Sequence, residues 1–126
     1  MTSETIAGLF DGFADSDDPF LVYDDGYRAH AHTYRETADA ARVFALRLSA
    51  HGIAKGDSVL FYGENRPEWI AAFWGCVLIG AVVVPVDYRA SADLLSRVLA
   101  IAKGKLLLFG DEVSLPPNMG VPVWPF

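Results

Sequence analysis

Asp87 and Arg89 are the residues of this chain best placed to meet a ligand, because they follow the apolar run Ala81–Val86. That run reads as a buried parallel strand, and open α/β sheets bind ligands at the carboxyl ends of such strands. A carboxylate and a guanidinium two positions apart there can serve a polar ligand or each other. His30 and His32 also stand two apart, on one side of a short β-type run, the minimum geometry for a two-ligand metal site. Two ligands are too few for a closed site, so the pair reads as a partly exposed hairpin face. Cys76 sits in an apolar segment, where a thiol is ordinarily inert packing. The pairs Asp17/Asp18, Asp24/Asp25 and Asp111/Glu112 fall in turns, where Asp is favoured for local hydrogen bonding. No Ser, His and Asp grouping follows from the spacing.

Phosphate-cradling loops are missing. The Gly104-Lys105 pair is followed by Leu106, with no glycine five residues before it, so no Walker-type loop is present. The run ending at Tyr62 leads into Gly63-Glu64-Asn65-Arg66-Pro67, which lacks the dinucleotide fingerprint. The chain has 126 residues, 10 Lys plus Arg and 16 Asp plus Glu, for a net charge of −6. Seven of those acids lie before residue 28, where there is no Lys or Arg, so no basic footprint for nucleic acid exists. A single cysteine rules out an internal disulfide, and the amino end lacks the basic-then-apolar order of a secretion signal. A cytoplasmic location is expected. The uncharged run Trp69–Val86 is 18 residues long, but Gly75, Gly80 and Pro85 divide it into a helix and a strand. It is expected to be interior, with no membrane span.

The elements follow from periodicity and punctuation. Residues 1–18 form an acidic lead-in with a short helix capped by Ser3. Phe20–Tyr23 and Tyr27–His32, joined by Asp24-Asp25-Gly26, predict a β-hairpin. Thr33 and Glu36 form a capping box, so a helix begins at Tyr34, with Ala38, Ala41, Ala45 and Leu48 on one face and a stop at His51-Gly52. Ser58–Tyr62 reads as a buried parallel strand. Asn65 is expected to cap the next helix, with Pro67 in its first turn and Glu68 completing a second capping box. That helix, Arg66 to about Ile79, is apolar almost all round and should be covered on every side. Ser91 caps a third helix, faced by Leu94, Leu95, Val98, Leu99 and Ala102. Leu106–Phe109 is another strand, and residues 113–126 form a Pro-rich loop ending in an edge strand near Val121–Trp124. The whole, residues 1–126, is a single α/β unit: a mostly parallel sheet flanked by helices and preceded by a hairpin, with residues 19–112 as its core.

Thr33-Tyr34-Arg35-Glu36 and Leu78-Ile79-Gly80-Ala81-Val82-Val83-Val84-Pro85-Val86-Asp87 resemble the first two core motifs of the adenylate-forming (AMP-binding) superfamily. Gly52–Val59 and Gly63–Trp69 follow the same family's order and spacing, so the resemblance spans about residues 18–112. Glu64–Trp69 together with Pro85–Ser91 is most similar to bacterial long-chain fatty acyl-CoA synthetases. Thr37 departs from the pattern, which usually has Leu there.

The resemblance implies a partial N-terminal subdomain of the adenylate-forming fold. In the full-length family enzyme a carboxylate attacks the α-phosphate of Mg-ATP, and coenzyme A then displaces AMP. The family's Ser/Thr/Gly-rich phosphate loop, nucleotide-binding segments and C-terminal catalytic lysine have no counterpart before Phe126. The chain is therefore expected to be the scaffold of such a ligase and inactive alone. No catalytic, cofactor-binding or metal-binding residue is assigned to it. ATP, magnesium, coenzyme A and a fatty acid are implied only for the full-length enzyme. A homo-oligomer is expected through apolar surface around Trp69, Phe73 and Trp74. The alternative is a free-standing oligomerising or interaction module derived from the same scaffold.

Overall fold

A computed structural model describes residues 5–126. Helix α1 (Ile6–Phe13) is capped by Thr5, whose hydroxyl accepts from Gly8 N at 3.0 Å; Ser3 lies outside the described residues. Strands β1 (Pro19–Asp24) and β2 (Ala29–Thr33) pair antiparallel. Their turn is longer than the Asp-Gly signal predicts. Asp25 Oδ1 accepts from the amides of Tyr27 and Arg28 at 2.9 and 3.0 Å, which draws both residues out of the second strand.

Helix α2 (Tyr34–Ala50) carries the capping box as read, with Thr33 Oγ1 accepting from Glu36 N and Glu36 Oε1 accepting from Thr33 N, both at 3.1 Å. Its buried face is Thr37, Ala38, Ala41, Ala45 and Leu48. After it come β3 (Ser58–Tyr62), α3 (Pro67–Ile79), β4 (Val82–Val86), α4 (Ala92–Ala102), β5 (Gly104–Phe109) and β6 (Val123–Pro125). The four strands of this second sheet are all parallel, in the order β4-β3-β5-β6.

The strand order dictates where the helices lie. The chain crosses from β3 outward to β4, then back past β3 to β5, so α3 and α4 cover opposite faces of the sheet. On one face Val59, Phe61, Leu106 and Leu108 pack with Ala72 and Cys76 of α3 and Leu48 of α2. On the other, Leu60, Tyr62 and Leu107 pack with Leu95 of α4, and the loop after β5 adds Val113, Leu115, Met119 and Val121. A third cluster places Phe10 and Ala14 against Ala38 and Ala41, with Trp74 and Leu78 of α3 beside them. Each fully covered Leu or Phe in these layers contributes roughly 1.5–3 kcal/mol.

Two details of the sheet differ from local expectation. Helix α3 is covered less completely than its sequence suggests: Ala72, Gly75 and Cys76 are buried, whereas Trp69, Phe73 and Trp74 are half-buried. Large, openly exposed apolar side chains occur instead at Leu94 and Ile101 of α4, 46% and 83% exposed, and on α2 at Val43 and Leu46. Strand β4 forms one edge of the sheet. Val82 N donates to Asp57 O at 2.8 Å, toward β3. Backbone groups alternate sides along a strand, so Val83 and Pro85 point to the open edge, where a missing amide breaks no ladder.

Candidate functional site

The loops after β3, β4 and β5 gather at the carboxyl edge of the sheet. Adjacent strands β3 and β4 send their chains to helices on opposite faces, which makes the crevice between them a topological switch point. Its volume is about 460 Å³, and it is lined by Gly63, Glu64 and Asn65 from one loop and Asp87, Tyr88 and Arg89 from the other, with Trp69 between. Asp87 and Arg89 thus stand where the sequence places them. They bond each other: Arg89 Nε and Nη2 donate to the two Asp87 oxygens at 3.1 and 3.0 Å. The Arg89 side chain, together with its backbone amide, holds the Asp87 carboxyl below its ordinary value, and Asp87 raises Arg89 in turn.

A second cluster lies on the β5 side. The Arg66 guanidinium donates to Glu64 Oε2 at 3.1 Å and to Asp111 Oδ1 at 2.9 Å, with Glu112 Oε2 3.9 Å away. Burial opposes the Arg66 charge, but Glu64, Asp111, Tyr23 and Glu112 outweigh it and raise its pKa. Glu112 Oε1 accepts from Glu64 N, so the loop after β5 is tied to the loop after β3. This approach requires small residues. A Cβ on Gly63 would lie 2.9 Å from Gly110 N, and one on Gly110 would strike the Glu112 carboxylate. Asp111 and Glu112 therefore do more than solvate a turn. The only local signal was their position, directly after Gly110 at a strand's carboxyl end.

Asn65 does not cap α3. Arg66 is the N-cap, extended at φ −116° and ψ 170°, and no side chain bonds the first-turn amides. The cause is Pro67 at the first helical position, which forces the residue before it out of the helical region. Asn65 is left one residue too far out, and the Glu68 capping box does not form. The remaining sequence candidates are dispersed. His30 Nε2 bonds Asp25 Oδ2 at 2.8 Å. His51 at the end of α2 packs edge-on against Trp124, ring centres 4.8 Å apart. Cys76 is buried, and its thiol is pushed up to about 12 by burial. Among the described residues no group of three or more His, Cys, Asp or Glu is placed to hold a metal ion, and no helix is long and apolar enough to cross a membrane.

Four carboxylates thus surround two guanidinium groups at this edge. The two arginines are each engaged by carboxylates, and the arrangement braces three loops around the switch point. Comparison with known proteins gives that scaffold its context. A solved structure of the Klebsiella oxytoca NpsA N-terminal subdomain superposes with a TM-score of 0.83 at 27% identity, covering 98% of this chain and 32% of that one. A 3-hydroxybenzoate–CoA/4-hydroxybenzoate–CoA ligase of Thauera aromatica is 45% identical over 80 residues, 64% of this chain and 15% of the ligase. A long-chain-fatty-acid–CoA ligase of Mycobacterium tuberculosis is 36% identical over 78 residues, 62% of this chain and 16% of that ligase. The matched stretches thus span about a sixth of the length of these curated relatives, and the fold of the chain is that of the N-terminal subdomain of adenylate-forming enzymes. Residues 13–122 match the AMP-binding enzyme family, and the chain belongs to that family.

Proposed function

We propose that this chain is the N-terminal scaffold of an ATP-dependent, AMP-forming acid–thiol ligase and carries none of the reacting groups. The observation that supports this most directly is the mutual pairing of charges at the sheet's carboxyl edge. Arg66 is held by Glu64 and Asp111, and Arg89 by Asp87. A triphosphate would have to displace those carboxylates and approach Glu112 as well, so these residues do not fit Mg-ATP. The role left to them is to set the loops of a framework against which substrate-bearing segments pack.

A fatty acid is the acid we propose for the whole enzyme, on the strength of Glu64–Trp69, Pro85–Ser91 and the relation to the mycobacterial ligase. Greater identity to a hydroxybenzoate ligase supports a further point: the segment is shared by ligases of different acids, so the acid is selected by residues elsewhere. The purified chain, incubated with Mg-ATP and a panel of fatty and aromatic acids, should release no pyrophosphate above a protein-free blank. Turnover dependent on any one acid would overturn the scaffold reading.

A further inference from the structure

We draw no further inference here: the strongest candidate, the cavity of about 270 Å³ beside Thr37 between α2 and α3, is an apolar trough rimmed by the exposed carboxylates of Glu36 and Glu68, and nothing in the structure shows what covers it.

Discussion

Tyr62, the last residue of β3, donates its hydroxyl to the carbonyl of Ala90 at 2.7 Å, across 28 residues of sequence. Tyr62 is 5% exposed, and the bond joins the end of β3 to the loop that follows β4. Tyr62→Phe keeps the ring and leaves a half-buried carbonyl without that donor. The expected loss is about 1–2 kcal/mol, read as a lower denaturant midpoint at unchanged slope. An unshifted midpoint would mean that the bond contributes nothing net.

Gly63 and Gly12 should respond to alanine in opposite directions. At Gly63 the new methyl meets Gly110 backbone at 2.9 Å, which a side-chain rotation cannot relieve, so a cost of about 1–3 kcal/mol is expected. At Gly12, inside α1, nothing lies within 4 Å, and better helix propensity should stabilise by up to about 1 kcal/mol. Thermal melts of the two variants should move apart; a shared direction would contradict the loop contact.

Alkaline pH should weaken the fold through Cys76. Its thiol titrates at about 12 when folded, against an ordinary value near 9. The folded state holds the proton longer, so this contribution is complete below about pH 9 and is lost as pH rises toward 12. Iodoacetamide at pH 8 should label the thiol only after denaturant is added. Prompt labelling of the native chain would place Cys76 at the surface.

Acid should reach the hairpin late. The Arg28 amide, then His30, then the Tyr27 amide hold the Asp25 carboxyl down at about 2. A lowered carboxylate pKa stabilises above its ordinary value of 3.8 and ceases to do so as pH falls through about 2. The Asp25 side-chain carboxyl carbon, followed by NMR, should titrate well below the ordinary value of 3.8. A midpoint at the ordinary value would remove the hairpin clip.

Self-association of the isolated chain should run through α4 rather than through Trp69, Phe73 and Trp74. Leu94 and Ile101 lie seven residues apart on one exposed stripe, with Val98 between them. Sedimentation at rising concentration should show a species heavier than the monomer, and Ile101→Lys should abolish it. A wild-type chain that stays monomeric throughout would rule this out.

Local chemistry made the framework readable. Thr33 and Glu36 satisfy each other's backbone within three residues, and the apolar runs Ser58–Tyr62 and Leu106–Phe109 permit little except buried parallel strands. Errors arose where two local rules competed or where the partner was distant in sequence. Asn65 and Pro67 both signal a helix start, and the steric rule for the residue before proline prevailed over the preference of Asn for caps. The bond from Glu64 N to Glu112 spans 48 residues, and the stacking of Arg47 on Trp124 spans 77 positions, 47 to 124. No periodicity encodes either. The cavity beside Thr37 was invisible for the same reason, since it exists only where two helices and the final residues meet.

Strand β4 ends the sheet with Pro85 turned outward, leaving Val83 as the residue that can still offer an amide there. Cross-β stacking requires donors at every second residue, so this border makes a poor template for fibril growth. A border so rich in valine is thereby kept from extending the sheet with a second chain on that side.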